Sequence, residues 1–266
     1  VARFRFIVKR PVLERFPPAG RLALRLPDGR HLPAGGGGAA GFVLDLPFGD
    51  ASVVALLEAR GPLEKKGHLR PAAAETERRQ DAYLALYTRL RPVFARRFGR
   101  PLFLLYGTLL GQVRTADFIP GDDDFDIGYV SGETRPEAVR AEAIAIMTGL
   151  VEEGFSVVLN DEGRPFRIRD PQGAPGVHLD NRPVFAPSDG HVWLHRHARL
   201  ALPLSDLSEV REGLMRGRPV LVPRGAEAFL AAYYGPGWRV PAPGYSNAGT
   251  PIAPQPRAGL APPLVP

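Results

Sequence analysis

A run of four aspartates within five positions, Asp122, Asp123, Asp124 and Asp126, constrains this chain more than any other feature. Side chains alternate along an extended backbone, so Asp122, Asp124 and Asp126 would point to one side of it. At about 5 Å and an effective dielectric constant of about 20, each like-charged pair costs roughly 3 kcal/mol. A folded chain tolerates such a group only if it is solvated, protonated or bridged by a cation. The pattern therefore predicts a divalent metal site.

The segment before the aspartates predicts a site for phosphate. Leu102–Tyr106 is predicted to be a buried strand, followed by Gly107 and Thr108 at the start of a short helix. Backbone amides at a helix start can approach phosphate oxygens where the side chains are small. The order strand, Gly-Thr, helix and acidic strand matches the nucleotidyltransferase superfamily in outline. We therefore expect an α+β fold, with a mixed sheet flanked by helices.

Two blocks carry a closer resemblance, GTLLGQVR at 107–114 and FIPGDDDFDI at 118–127. They resemble the LicD family, which includes bacterial phosphocholine transferases and fukutin-related proteins. VHLD at 177–180 resembles the later strand that supplies the family's third carboxylate, and 222–238 resembles its closing segment. The resemblance covers roughly residues 75–245. One departure is Gly121, because the family usually has Trp between the proline and the aspartates.

The resemblance implies a metal-dependent transferase. It would move a phosphorylated alcohol, of the phosphocholine, glycerol phosphate or ribitol phosphate type, from a CDP-linked donor to a hydroxyl of a cell-surface glycan and release CMP. Asp124 and Asp126 would bind Mg²⁺ or Mn²⁺. Asp180 would be the third ligand, or the base that accepts the acceptor proton. Two metal ions about 3.5–4 Å apart would suit such a transfer.

The resemblance also implies contacts to the donor, in which Gly107 and Thr108 bind phosphate oxygens and Arg114 contacts the diphosphate. Asp122 and Asp123 are supporting candidates. Each assignment has a structural alternative. Asp122 and Asp123 would then cap or solvate the loop, Asp180 would be a turn residue, and Arg114 would pair with an aspartate.

Around the site, the periodicity divides the chain into a β-rich accessory unit at 1–70, a catalytic domain at 71–245 and a Pro/Gly/Ala-rich tail at 246–266. Helices are predicted from Glu75 to Phe98, with an aromatic stripe that faces the core and a kink or break at Pro92, from a Thr134–Glu137 capping box to Glu153, and over Ala226–Tyr234. Strands are predicted at 3–8, 21–26, 42–46, 155–159, 166–169, 177–180 and 192–195. Turns are predicted at 27–29, 161–163 and 188–190, with a glycine loop at 35–38.

The charge distribution and the absence of cysteine limit the partners and the cellular compartment that we expect. Residues 1–100 hold 19 Lys and Arg against 9 Asp and Glu, whereas the remainder holds 15 against 19. A basic N-terminal part favours anionic glycans or a membrane surface, unless it is merely solvated, and we expect no nucleic-acid partner. The chain has no cysteine and no apolar run of about 18 residues. We therefore expect a cytoplasmic protein, either free or associated with the inner face of the membrane.

Other functions compete with the transferase. Asp122, Asp124, Asp126 and Glu133 match positions of a calcium-binding EF-hand loop, but Ile127 stands where that loop needs glycine. A nucleotidyltransferase that adds a nucleoside monophosphate to a small molecule or protein is the second alternative, and a silent glycan-binding module is the third. A histidine cluster, at 191, 195 and 197, is expected to be a solvated surface.

Overall fold

A computed structural model describes residues 7–26, 28–32, 41–64, 67–159, 166–187, 191–194 and 198–241. The chain divides into two compact units, Val1–Glu75 and Thr76–Pro266. Several predictions fall outside the described residues: most of the strand at 3–8, the glycine loop at 35–38, the turns at 161–163 and 188–190, His195, His197 and the tail at 246–266.

The first unit combines short strands with two helices. Its elements are α1 (Arg10–Leu13), β1 (Ala19–Leu22), β2 (Leu24–Arg25), β3 (His31–Leu32), β4 (Phe42–Asp45) and α2 (Val53–Arg60). β1 pairs with β4, and β2 with β3, both antiparallel. The β2–β3 pair confirms the hairpin predicted from Asp28-Gly29. The helices were missed because α1 has a single turn and the apolar residues of α2 lack helical periodicity.

The second unit contains the main sheet. Its elements are α3 (Ala73–Phe98, which begins at the unit boundary), β5 (Phe103–Leu104), α4 (Tyr106–Thr115), β6 (Asp126–Val130), α5 (Pro136–Glu152), β7 (Ser156–Val158), β8 (Phe166–Arg169), β9 (Leu179–Phe185), β10 (Val192–Leu194), β11 (Ala198–Leu200), α6 (Ser205–Ser208), β12 (Val210–Met215), β13 (Arg218–Pro223) and α7 (Ala226–Tyr234). The predicted mixed sheet flanked by helices is confirmed.

Strand β9 organises that sheet. Along one edge it pairs in parallel with β6, and along the other it pairs antiparallel with β8 and then with β10. β5 extends the sheet beyond β6, β11 extends it beyond β10, and β7 pairs with β8. The hairpin β12–β13 forms a separate two-stranded sheet. This topology puts the starts of β6 and β9 side by side.

Helix α3 covers the sheet with the aromatic stripe that its periodicity predicts. Tyr83 and Tyr87 pack against Phe125, with ring centroids 6.0 and 5.6 Å away, and Phe94 packs against Tyr129 at 5.4 Å. The helix continues through Pro92 without a break. None of the helices in the described part of the chain has the length and apolar character needed to span a bilayer.

Some local predictions are wrong. The capping box is absent, because α5 begins at Pro136 after Arg135, which makes no side-chain cap. β5 ends at Leu104, so Tyr106 already belongs to a helix. The strand expected at 177–180 starts later and runs through Phe185. Pro136 sets the start of α5 locally, whereas β9 extends to Phe185 because it pairs with β6 and β10 there.

Candidate active site

Asp126 and Asp180 lie side by side in the sheet. They are direct partners in the parallel pairing of β6 with β9. The Asp180 amide also donates a hydrogen bond to the Phe125 carbonyl oxygen at 3.0 Å. Neighbouring strands lie about 4.8 Å apart, and paired residues point to the same face. The two carboxylates therefore share one face of the sheet.

A sharp turn brings the start of α4 to the same place. Tyr106 has φ +45°, in the left-handed region that non-glycine residues seldom adopt. The Leu105 amide before it donates to the Asp126 carbonyl oxygen at 3.0 Å. The first amides of a helix have no acceptor within the helix, and they attract anions. Phosphate oxygens could therefore bind next to the aspartates.

Thr108 and Gly107 serve the site in different ways. Thr108 is fully buried, and its Oγ1 accepts a hydrogen bond from the Asp126 amide at 2.9 Å. It therefore fixes the start of β6, a role that differs from the predicted phosphate contact. A side chain at Gly107 would place its Cβ 3.3 Å from Oδ2 of Asp122. Glycine therefore keeps the space beside that carboxylate open.

The aspartate run begins in a tight turn. The Asp122 amide donates to the Ile119 carbonyl oxygen at 2.9 Å, with Pro120 and Gly121 between them. Gly121 has φ +79°, as the third position of a type II turn requires. A tryptophan there would be strained, so the departure from the family pattern has a backbone reason. The run then enters strand β6, which is not the helix–loop–helix of an EF-hand.

Side chains of helix α3 donate hydrogen bonds to the backbone of this aspartate loop. Gln80 Nε2 donates to the Asp122 carbonyl oxygen at 3.1 Å, and the Tyr83 hydroxyl donates to that of Asp123 at 2.5 Å. Arg216, at the tip of the β12–β13 hairpin, donates in turn to Gln80 Oε1 at 2.7 Å. These contacts join three separate parts of the chain, so the loop geometry depends on the whole unit.

Asp122, Asp123 and Asp124 form an acidic triplet. Each offers a carboxylate oxygen, and these oxygens lie within 4.8 Å of one another. Oδ2 of Asp122 is buried and has no hydrogen-bond partner in the described part of the chain. Within the same residues, none of the three makes an ion pair. The triplet therefore has the chemistry of a site for a divalent cation.

The other two carboxylates have cationic partners. Arg182 Nη2 donates to Asp126 Oδ1 at 2.9 Å, and Arg167 Nε donates to Asp180 Oδ1 at 3.2 Å. His178 Nε2 lies 3.7 Å from the same oxygen of Asp180. Burial lowers the pKa of His178, against the attraction of Asp180. Asp126 and Asp180 are thus partly neutralised by the protein itself.

Crowding of the carboxylates shifts their proton affinities. Burial, and then repulsion from Asp124, raise the pKa of Asp122 to about 8. Burial and repulsion from Asp126 raise the pKa of Asp124 to about 7. Burial also raises the pKa of Asp126, although Arg182 opposes this. Without a cation, the folded protein therefore retains protons that an unfolded chain would release.

This proton retention predicts a pH-dependent stability. The pKa values of Asp122 and Asp124 both lie above the ordinary value of 3.8. The folded state therefore binds more protons than the unfolded state between about pH 4 and 8. Because of this difference, the free energy of unfolding falls as pH rises through that range. In EDTA, we expect the melting temperature to drop between pH 5 and 8, relative to Asp122→Asn. Added Mg²⁺ should restore it more at pH 8 than at pH 5. Calorimetry at both values tests this, and identical pH profiles for the two proteins would contradict it.

Arg114 and His191 contact groups other than the aspartates. Arg114 is at the end of α4 opposite to Gly107, where it donates hydrogen bonds to the Trp238 carbonyl oxygen and, at 3.2 Å, to that of Val240. These contacts give it a structural role in holding the segment after α7. His191 Nδ1 lies 3.1 Å from Arg199 Nη2, so it faces a cation.

Comparison with known families agrees with this geometry. Residues 99–225 match the family model described as LicD/FKTN/FKRP, nucleotidyltransferase domain. This segment is a LicD-family domain. No curated protein matches the chain significantly. Members of the LicD family are typically transferases, and the domain suggests a phosphotransferase that acts on glycans.

The LicD match contains the acidic triplet, Asp126, Asp180 and the start of α4. Sequence reasoning missed the two arginines of the site, Arg167 and Arg182. Arg182 follows Asp180 by two residues, so on one strand the two side chains point to the same face. Only the strand pairing shows which carboxylate each arginine contacts. Tyr83 was assigned to the core because it belongs to the aromatic stripe of the predicted helix, and Gln80 was not singled out.

Proposed function

We propose that this chain transfers a phosphorylated alcohol from a CDP-linked donor to a glycan hydroxyl and releases CMP. One observation carries the proposal: an unpaired acidic triplet lies beside the start of α4 within a LicD-family domain. Phosphoryl transfer depends chiefly on positioning and on neutralising charge at oxygen atoms. A helix start and a cluster of carboxylates together provide a place for phosphate and for the cation that accompanies it.

The triplet suits Mg²⁺ or Mn²⁺. These ions prefer carboxylate and phosphate oxygens, and Mg²⁺ keeps some of its waters. The buried, unpartnered Oδ2 of Asp122 is an oxygen that a cation would satisfy. Asp122, Asp123 and Asp124 would hold the ion, with Asp122 half-buried and the other two exposed. When bound, the ion would neutralise oxygens of the diphosphate and of the departing CMP.

The protein's own groups would orient the reaction. The amides of Gly107 and Thr108 would bind diphosphate oxygens, while the Thr108 hydroxyl keeps Asp126 in place. The acceptor oxygen would attack the phosphorus that carries the alcohol, and the bridging bond to CMP would break. Asp180, on the same face as Asp126, would accept the acceptor's proton.

A panel of CDP-linked alcohols tests the proposal. Purified protein with Mg²⁺ or Mn²⁺ should release CMP from at least one of CDP-choline, CDP-glycerol and CDP-ribitol. EDTA should abolish that release, because the triplet would lose its cation. Chromatography of the nucleotides measures the product directly.

The same panel distinguishes the alternatives. Turnover of CTP or ATP, with every CDP-alcohol left intact, would support a nucleotidyltransferase and overturn the proposal. An acceptor screen with glycan fragments follows once a donor is found. The phosphorylated alcohol should then appear on the glycan by mass spectrometry, in proportion to CMP.

A further inference from the structure

The carboxylates of the site fall into two groups. Asp126 and Asp180 each bind an arginine at 2.9 and 3.2 Å. Asp122, Asp123 and Asp124 have no such partner among the described residues. In the triplet, a cation from solution would therefore meet carboxylates without a cationic partner, whereas at the sheet it would have to compete with guanidinium groups.

Arg182 is held firmly in its place. Its side chain is 13% exposed, and that of Asp126 is 9% exposed. The guanidinium also lies over the ring of Tyr106, 4.6 Å from the centroid. An arginine stays charged at every accessible pH, and a buried, stacked guanidinium is an effective partner for a carboxylate. The guanidinium of Arg182 is therefore a permanent cationic partner for Asp126.

We propose that Arg182 takes the place of a second divalent cation, so that the site binds one metal ion, at the triplet. Arg182 is then a positioning residue that fixes Asp126 and balances its charge. This inference rests on the proposed function for the identity of the metal site. It replaces the two-ion arrangement expected from the sequence, in which Asp124, Asp126 and Asp180 were the ligands.

The charges explain why one ion is sufficient. Asp126 lies between two other acids, since Asp180 is its strand partner and Asp124 precedes it by two residues. A buried carboxylate without a partner is strongly destabilising, so Asp126 needs a cation close by. Arg182 supplies that cation on β9. If it is removed, the oxygens of Asp126 and Asp180 become a second place for a divalent ion.

Counting bound Mn²⁺ tests the proposal without any turnover. We expect one tight Mn²⁺ per wild-type chain at about pH 8, by calorimetry and by electron paramagnetic resonance of free Mn²⁺. Arg182→Met keeps an apolar stem over Tyr106 but removes the charge, so the count should rise to two. Arg182→Lys restores a cation and should return the count to one.

Arg224→Met is the matched control, because Arg224 pairs with Glu209 on the surface and its side chain is 76% exposed. It makes the same change in net charge and should leave the count at one. Two tight ions in the wild type, or one ion in a folded Arg182→Met, would overturn the proposal. Since the count needs no donor, a failed CMP assay with a single Mn²⁺ site would refute the proposed function and leave this inference standing.

Discussion

Asp124→Asn should lower CMP release from the CDP-linked donor about 1,000-fold. That loss corresponds to about 4 kcal/mol in the activation barrier, at about 1.4 kcal/mol for each factor of ten. Asparagine has nearly the same shape, but it removes a negative charge from the acidic triplet. Asp124 is the residue on which the sequence and the structure agree, because it belongs to the predicted ligand set and to the observed triplet.

The Asp124 experiment needs a measure of folding as well as activity. Because the carboxylates repel one another, Asp124→Asn should be at least as stable as the wild type in EDTA, while its affinity for Mn²⁺ should fall. Glu209→Gln, on the exposed pair with Arg224, serves as the control and should keep full activity. Undiminished CMP release by a folded Asp124→Asn would remove the triplet from the mechanism.

Gly111→Ala should destabilise the protein, although alanine is the better helix former by about 1 kcal/mol. Gly111 lies within α4, and an added Cβ would be 2.4 Å from the Asp117 carbonyl oxygen and 2.9 Å from the Ile119 amide nitrogen. Both are backbone atoms, so the loop would have to move. Overpacking of this kind costs about 1–3 kcal/mol. For a domain of this size, each kcal/mol lowers the melting temperature by about 2–4 °C.

The displaced loop leads directly into the acidic triplet, so Gly111→Ala should weaken Mn²⁺ binding as well. Thermal denaturation and Mn²⁺ titration measure the two effects. Gly237→Ala is the matched control, because no heavy atom lies within 4 Å of an added Cβ. Its stability should change by less than about 0.5 kcal/mol. Equal stability of the two variants would show that the close approach at Gly111 is not needed.

Around α4, the local sequence and the distant parts of the chain determine different features of the site. Gly107, Thr108 and the aspartates were recognised from the order strand, Gly-Thr, helix and acidic strand, which lies within one short stretch of the chain. Arg114 belongs to the same motif, yet it donates to carbonyl oxygens after α7. The motif shows that an arginine is present, but its hydrogen-bond partners depend on which distant segment packs against α4.

By itself, the sequence determined the mixed fold, the aromatic face of α3, the LicD resemblance and the crowding of four aspartates at 122–126. These depend on periodicity, on the order of short motifs and on the spacing of charges along the chain, which are local properties. Only the tertiary structure decided which aspartates remain unpaired. The pairing of β6 with β9 places Arg182 on Asp126, while β8 brings Arg167 to Asp180. Charge balance depends on contacts between residues far apart in the chain, and strand register sets those contacts.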